Sequence, residues 1–195
     1  MEIKKYHVKL KLDNILFRNC EFEDIPHVMY VNRATLPENY SRYTFLAIWR
    51  LYRDMFFVAI DLISDKIVGY VMNKVDTGPS FFDKRKVVSK GHVFSVGVLK
   101  EYRRRGIATC LMALAFKAMK QRRLHEVFLE VRVSNIPAIK LYEKIGMRII
   151  GRIKRYYADG EDAYIMAALM DDVIDFAENV IDYLVKNSKV VLSNG

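Results

Sequence analysis

Residues 91–121 read GHVFSVGVLKEYRRRGIATCLMALAFKAMKQ, and this stretch decides the fold. It contains an apolar strand-like run, Val93–Leu99, and an apolar helical run, Ile107–Met119, joined through the basic turn Arg103–Ala108. A glycine where a loop enters a helix lets backbone N–H groups face a bound anion, and the helix dipole and nearby arginines add to the attraction. The turn therefore predicts a pyrophosphate-binding loop.

The spacing within this loop excludes two common phosphate-binding classes. The loop contains neither Gly-x-Gly-x-x-Gly nor Gly-x-x-x-x-Gly-Lys-Ser/Thr. The sequence therefore indicates neither a dinucleotide-binding fold nor a nucleotide triphosphatase. A basic turn before a helix is a moderately specific signal, and other segments of the chain narrow it.

Length and composition agree with a single enzyme domain of 195 residues. The chain has no run of about 18 apolar residues, and its first residues, Met-Glu-Ile-Lys-Lys, lack the apolar core of a signal peptide. We therefore expect a cytoplasmic protein without a membrane segment. Cys20 and Cys110 form no metal-ligand cluster, so we expect buried thiols, no disulfide and no bound metal.

The N-terminal half reads as strands and helices that end in a loop. Ile15–Cys20 is strand-like, and Asp24 is a candidate N-cap for a helix that runs through Val31. The other predicted elements of this half are a helix at Tyr43–Tyr52, a hairpin of Met55–Ile60 with Lys66–Val75 across Ser64-Asp65, and a long basic loop at Asp76–Lys90.

The C-terminal half alternates strands and helices, which predicts a βαβα unit with two parallel strands and a right-handed crossover. Together with antiparallel hairpins on both sides, this gives an α/β fold with a mixed, mostly antiparallel sheet and a parallel βαβα core. The predicted elements are the strand Gly91–Leu99, the helix Gly106–Gln121, the strand Glu126–Val133, a helix from Asn135 or Ile136 to Ile145 that Gly146 ends, and a hairpin of Arg148–Arg155 with Ala163–Leu169 across Asp159-Gly160.

Residues 171–195 form a segment of their own. Asp171 and Asp172 favour a helix start, and apolar residues follow at helical spacing. We therefore divide the chain into a domain at residues 1–170 and an amphipathic helix and tail at residues 171–195. Packing of this helix on its own domain is favoured over a regulatory or partner-binding role. The apolar residues of the stripe are Val173, Phe176, Ala177, Val180, Ile181 and Leu184.

Five segments occur in an order that resembles a known family. Arg103-x-x-Gly106-x-Ala108 resembles the acetyl-CoA loop of the GNAT superfamily of N-acetyltransferases. With it, the segments are similar to the archaeal protein N-terminal acetyltransferases, relatives of the catalytic subunit of the eukaryotic NatA complex. The resemblance covers about residues 15–170 and implies the GNAT fold, acetyl-CoA as cosubstrate and protein N-termini as acceptors. The segments are LPENY (36–40), GHVFSVGV (91–98), LEVRVSN (129–135), AIKLYEKIGM (138–147) and YYADGEDAY (156–164).

The resemblance implies coenzyme contacts in three places. Main-chain groups of the strand would bind the pantetheine arm as an added strand, Asn135 would hydrogen-bond the arm, and the basic loop would bind the pyrophosphate. The implied cofactor-binding residues are Val96, Gly97, Val98, Arg103, Arg104, Arg105, Gly106, Ile107, Ala108, Thr109, Asn135 and Tyr142.

The net charge of +9 has two interpretations. A basic surface can bind nucleic acid, or it can attract the polyanionic coenzyme. No aromatic-and-basic RNA motif, helix-turn-helix spacing or zinc pattern is visible, and Arg103, Arg104 and Arg105 lie in the one segment with a phosphate-binding rationale. We therefore favour coenzyme binding as the reason for the positive charge. The alternative, which is not an enzyme function, is a basic module that associates with nucleic acid.

Glu130 and His92 are the candidate bases. A carboxylate in a β-rich run meets a desolvation cost, but spacing alone slightly favours an ordinary solvent-facing or ion-paired glutamate. The resemblance reverses that preference, because this strand of the family carries a residue that commonly works through a bound water. His92 starts the neighbouring strand, where a lone histidine is more often structural. The two groups could also order one water between them.

Tyr142 is the candidate general acid for the leaving thiolate. It follows Asn135 by seven residues, close to two helical turns, so both lie on one helix face. In isolation the Leu141-Tyr142 pair reads as core packing. The resemblance to the family pattern Ala-x-x-Leu-Tyr-x-x-x-Gly-Phe, here ending in Met147, implies the acid role.

Residues 36–40 and the pair Tyr156-Tyr157 are expected to select the acceptor. The plain structural alternatives are an interhelical turn for the first segment and a hairpin aromatic pair for the second. In related enzymes the Leu-Pro-Glu-Asn-Tyr form accompanies small first residues, so we expect Ser, Ala or Thr, with Met as a further candidate. A lysine or small-amine acetyltransferase is the alternative enzyme, and an auxiliary subunit or ribosome association is a candidate partnership. The implied walls are Leu36, Pro37, Glu38 and Tyr40 on one side and Tyr156 and Tyr157 on the other.

Overall fold

A computed structural model describes residues 9–187 of the chain. Its helices are α1 (Ile25–Thr35), α2 (Arg42–Tyr52), α3 (Ile107–Gln121), α4 (Ile136–Lys144) and α5 (Met170–Asn187). Its strands are β1 (Lys9–Leu12), β2 (Ile15–Asn19), β3 (Phe57–Asp61), β4 (Lys66–Pro79), β5 (Val87–Val98), β6 (Glu126–Arg132), β7 (Arg148–Ile153) and β8 (Ala163–Leu169).

The strands form one sheet in the order β1-β2-β3-β4-β5-β6-β8-β7. The β5–β6 pair is parallel and the other pairs are antiparallel. The helix between the parallel strands is α3, so the βαβα core is where the alternation of residues 91–145 predicts it. The predicted mixed, mostly antiparallel α/β fold is confirmed.

Helices cover both faces of the sheet. A Cβ added to Gly69 would meet Ile107 of α3 at 3.3 Å. The next residue, Tyr70, points the other way and accepts a hydrogen bond from Asn32 of α1 at 2.9 Å. Because successive strand residues face opposite sides, α1 and α3 lie on opposite faces, and the core sits between each helix and the sheet.

The expected long loop at Asp76–Lys90 is wrong. β4 continues to Pro79 and pairs with β5 through Thr77–Ser89 and Gly78–Val88, which leaves a short connection between them. Asp, Gly and Pro in this stretch have turn character, but buried polar anchors hold the tip of the hairpin in place. Glu126, which is buried, accepts hydrogen bonds from Ser80 Oγ and from the Phe81 amide, the latter at 3.0 Å.

Other differences lie at the ends of elements. The strand Lys9–Leu12, which pairs with β2, has no counterpart among the predicted elements. Helix α1 runs to Thr35, one turn beyond Val31. Gly146, with φ of 96°, follows α4 and ends it as expected.

Helix α5 packs on its own domain. Its apolar stripe contacts α3 and β1, and Val173, Ala177, Ile181 and Leu184 are buried. This agrees with the packing on its own domain that is favoured for the amphipathic helix. Residues 188–195 of the expected tail lie outside the described residues. No helix within residues 9–187 is long and apolar enough to cross a membrane, and both cysteines are buried and free.

Candidate active site

The site begins where β5 and β6 separate. The two strands pair only from Lys90 to His92 on β5 and from Glu126 to Phe128 on β6. Beyond His92, β5 keeps β4 as its partner and β6 keeps β8, so a gap opens between them. A register shift in the β4–β5 pairing also leaves Phe94 without an opposite residue, which bends β5 at the start of this gap.

A cavity of about 210 Å³, here the smaller cavity, lies at the gap. The structure brings all the predicted catalytic and acceptor-wall residues to its lining, although they come from five separate segments of the chain. Those residues are Leu36, Pro37, Glu38, Tyr40, His92, Glu130, Tyr142, Tyr156 and Tyr157.

His92 joins two carboxylates in a line. Its Nε2 lies 2.8 Å from Glu130 Oε2, and its Nδ1 lies 2.9 Å from Asp76 Oδ2. The ring also stacks on Phe128, with centroids 4.2 Å apart. His92 and Glu130 thus bond to each other directly, and the expected water between these two atoms has no place in this arrangement.

Asp76 is held as a carboxylate by its neighbours. Partial burial would raise the pKa of Asp76, but hydrogen bonds from Lys74, at 3.1 Å, and from His92 lower it below its usual range. A histidine that faces ionised carboxylates through both nitrogens is fully hydrogen-bonded only when both carry protons. Each ring nitrogen of His92 thus faces one carboxylate oxygen. Within residues 9–187, no group of three or more His, Cys, Asp or Glu could hold a metal ion.

Arg132 connects the two walls of the smaller cavity. Its Nε and Nη2 donate to Glu38 at 3.0 and 2.5 Å, and its Nη1 donates to Asp159 and Glu161, each at 2.7 Å. The guanidinium also lies 4.0 Å from the Tyr157 ring centroid. The charge of Glu38 is therefore already paired within the protein.

Tyr142 and Asn135 reach the smaller cavity from α4. Asn135 is the N-cap of this helix and accepts a hydrogen bond from the Ala138 amide at 3.3 Å. Tyr142 is buried, and this burial raises the pKa of its phenol to about 12. A phenol with so high a pKa keeps its proton throughout the neutral range.

A second cavity, here the basic cleft, has a volume of about 480 Å³ and lies between the start of α3 and α4. Gly106, with φ of 78°, is the N-cap residue of α3, so the unpaired amides of the first helical turn lie at this cleft. Four cationic side chains surround it: Arg103, Arg104, Lys140 and Lys144. This charge and these amides fit a phosphate-bearing ligand.

Most of the predicted cofactor-binding residues line one of the two cavities. Val96 and Asn135 line the smaller cavity, and Val98, Ile107, Ala108 and Thr109 line the basic cleft.

Arg105 and Gly97 lie outside both linings. Arg105 donates to Asn14 at 3.0 Å, and its guanidinium lies over the Tyr102 ring. A Cβ on Gly97 would lie 2.5 Å from Thr35 Oγ1, so the absence of a side chain there lets α1 pack closely on the sheet.

Sequence reasoning missed four residues of the site. Arg132 follows Glu130 by two positions on a strand, and that spacing could have placed both on one face. Lys140 and Lys144 have the i, i+4 spacing of one helix face. Asp76 gave no signal, because it was assigned to a loop and its partner His92 is 16 residues away.

Comparisons with known proteins agree with this geometry. Residues 22–147 match the acetyltransferase (GNAT) family. The chain is 48% identical over 152 residues to an N-alpha-acetyltransferase of Saccharolobus solfataricus, covering 77% of this chain and 90% of the relative. It is 36% identical over 154 residues to the catalytic subunit NAA10 of the N-terminal acetyltransferase A complex of Arabidopsis thaliana, covering 78% of this chain and 76% of the relative. A NatC complex bound to Gag peptide and CoA includes a chain that superposes with a TM-score of 0.73 at 26% identity, covering 80% of this chain and 98% of that one.

Proposed function

Since the chain belongs to the GNAT family of acetyltransferases, we propose that it moves the acetyl group of acetyl-CoA to the free α-amino group of protein N-termini. One observation carries the proposal. The hydrogen-bonded pair His92–Glu130 and the phenol of Tyr142 line one small cavity at the gap between β5 and β6, beside a basic cleft. The names of the similar proteins support the same acceptor.

The residues of the basic cleft fit the coenzyme. Amides at the start of α3 and the side chains of Arg103, Arg104, Lys140 and Lys144 would hold its phosphates. The edge of β5 beyond His92, which β6 leaves unpaired within the described residues, offers main-chain groups of Val96 and Val98 to the pantetheine arm. When bound, acetyl-CoA supplies an acetyl thioester.

Glu130 is the proposed proton acceptor. An α-ammonium group has a pKa of about 7.7 to 8.0, so a modest base is enough to unmask the amine near neutral pH. The Nε2 of His92 lies 2.8 Å from Oε2 of Glu130, and this contact orients the carboxylate in the smaller cavity. Because both ring nitrogens of His92 already contact carboxylates, Glu130 is the better placed of the two candidate bases.

Tyr142 is the proposed proton donor. Its buried phenol is protonated at neutral pH and lines the same cavity as Glu130. It can therefore hold a proton where a leaving thiolate needs one, while Glu130 takes the proton that the amine releases. Proton exchange with solvent after product release restores both groups.

The walls of the smaller cavity support a narrow choice of acceptor. Two segments, Leu36–Tyr40 and the connection that carries Tyr156 and Tyr157, are tied together by Arg132. A volume of about 210 Å³ suits a chain terminus with a small first residue, so we propose Ser, Ala and Thr, with Met less favoured. Association with an auxiliary subunit or ribosome stays a prediction, as does the cytoplasmic location expected from the sequence.

A peptide set tests this function. Peptides that differ only in their first residue, Ser, Ala, Thr, Met or Leu, are incubated with the protein and acetyl-CoA, and mass spectrometry follows the acetylated N-termini. Steric selection of this kind is worth about 1 to 3 kcal/mol, so we expect preferences of about 10- to 200-fold for the small residues. No acetylated terminus on any peptide would contradict the proposal.

A further inference from the structure

We propose that Asp76 is a positioning residue, which holds His92 in the orientation and charge state that present Glu130 as the proton acceptor. This inference rests on the proposed acetyl transfer to N-termini. Asp76 lies on β4, His92 on β5 and Glu130 on β6, so three neighbouring strands each contribute one group to the line. The sheet itself sets their spacing.

The ring of His92 has little freedom. It stacks on Phe128 with an interplanar angle of 26°, and its side chain is 9% exposed. The Phe94 ring meets it edge-on with centroids 5.8 Å apart. With one face stacked and both nitrogens engaged, rotation of the ring would break two hydrogen bonds at once.

The contact to Asp76 decides which proton His92 offers. If Nδ1–H donates to Asp76 and the ring is neutral, Nε2 has no proton and presents a lone pair to Glu130. If the ring is charged, Nε2–H donates to Glu130 Oε2. The negative charge of Asp76 favours the second state. It thereby fixes the Glu130 carboxylate through Oε2 and leaves Oε1, which has no partner among the described residues, for the proton of the acceptor.

The charges around His92 give the sign of the pH effect. They are Asp76 and Lys74 on β4 and Glu130 on β6, and the edge-on ring of Phe94 and the stacked ring of Phe128 are neutral. Removing the negative charge of Asp76 makes the proton of the His92 ring easier to lose, so the charged state that orients Glu130 ends at lower pH and the basic limb of the rate profile moves to lower pH. Removing the positive charge of Lys74 has the opposite effect. A purely structural role of Asp76 would lower the rate without moving the limb.

Four variants separate these roles: Asp76→Asn, Asp76→Glu, Lys74→Met and Asp83→Asn. Asp83 lies at the tip of the same hairpin, where it pairs with Arg85 and Lys86 and serves as the matched control. Kinetic constants are measured between about pH 5 and 9 with a Ser-starting peptide. Ring nitrogen shifts of His92 are followed by NMR on protein with ¹⁵N-labelled histidine, assigned with His92→Gln.

For Asp76→Asn we expect kcat to fall by about tenfold or more, an unchanged KM for acetyl-CoA, and a basic limb about one pH unit lower. The ring of His92 should lose its proton at correspondingly lower pH. Asp76→Glu should restore most of the activity, Lys74→Met should move the limb to higher pH, and Asp83→Asn should match the wild type.

The proposal is overturned if Asp76→Asn keeps the wild-type limb or the wild-type titration of His92. The NMR titration needs no acceptor, so it separates this proposal from the proposed function. A wild-type protein that acetylates no peptide terminus contradicts the proposed function, and in that case the titration of His92 in Asp76→Asn alone decides whether Asp76 sets its charge.

Discussion

Arg132 and Glu38 form an ion pair across the smaller cavity, with Nη2 and Oε1 2.5 Å apart although the two residues are 94 positions apart in the chain. The same guanidinium holds Asp159 and Glu161 of the β7–β8 connection. One side chain therefore sets the distance between the two walls that would contact an acceptor. Glu38 acts through this bridge, because its carboxylate is engaged before any substrate arrives.

Arg132→Met should weaken acceptor binding more than coenzyme binding. Methionine keeps much of the apolar stem but leaves Glu38 without its partner, so the walls lose their fixed spacing. A hydrogen bond to a charged group is worth about 1.5 kcal/mol or more, which corresponds to a rise of about tenfold in the peptide KM. Steady-state kinetics with a Ser-starting peptide measure it.

Arg152→Met is the control, since Arg152 on β7 pairs with Asp162 and lies outside the lining of the smaller cavity. It should leave the peptide KM near the wild-type value. An unchanged KM in Arg132→Met would show that the bridge does not shape the acceptor site.

Gly106→Val should abolish tight acetyl-CoA binding in a folded protein. Gly106 has φ of 78°, a left-handed conformation that costs a β-branched residue about 1 to 2 kcal/mol or more, and the added side chain would crowd the amides at the start of α3. Titration calorimetry with acetyl-CoA gives the affinity. Gly160→Val is the matched control, because Gly160 has φ of 85° and nothing lies within 4 Å of an added Cβ. Equal coenzyme affinities in the two variants would contradict the assignment of Arg103–Ala108 as the pyrophosphate-binding loop.

The order of strands and helices from Gly91 to Ile145 was predictable because local signals agree with tertiary structure there. The Gly106 turn, the Asn135 cap with Pro137, and Gly146 each mark a helix end by backbone chemistry. The β4–β5 hairpin was not predictable, because its tip depends on Glu126, a buried carboxylate 46 residues from Ser80. Long-range anchors of that kind leave no local pattern.

In the candidate site, too, local signals were predictable from the sequence and long-range contacts were not. Residues on one strand or helix, such as Glu130 or Tyr142, could be assigned from spacing and family resemblance. Partners that meet only through the sheet could not, and Asp76 and Arg132 are the two that matter most. Their contacts with His92 and Glu38 join segments that are distant in the sequence.

Glu130→Gln should lower turnover by about 10²- to 10⁴-fold while the affinity for acetyl-CoA changes little. Glutamine keeps the size of the side chain but cannot accept the proton of the amine. The acidic limb of the pH profile should also disappear. Glu143→Gln, at an exposed position on α4, controls for loss of a carboxylate. Wild-type turnover in Glu130→Gln across the pH range would move the base role to His92 or to solvent.

Tyr142→Phe should lower kcat but leave the fold intact, because the ring and its packing remain. The pKa of Tyr142 is raised to about 12, so Tyr142 should produce no basic limb below about pH 10. Burial of the neutral phenol stabilises the fold fully below about pH 10, and this contribution is lost as the pH rises towards 12. Thermal unfolding between these values should therefore fall less steeply in Tyr142→Phe than in the wild type. Identical slopes and an unchanged kcat would refute both assignments.

The choice between α-amino and side-chain amines is the most direct test of the account. Two peptides with the same Ser-starting sequence and one internal lysine are compared, one with a free N-terminus and the other with a chemically blocked N-terminus. Tandem mass spectrometry locates the acetyl group after incubation with acetyl-CoA. We predict rapid modification of the free α-amine and little change of the blocked peptide, because the bridged walls leave little room for chain on both sides of a lysine. Efficient acetylation of the blocked peptide at its lysine would contradict the account.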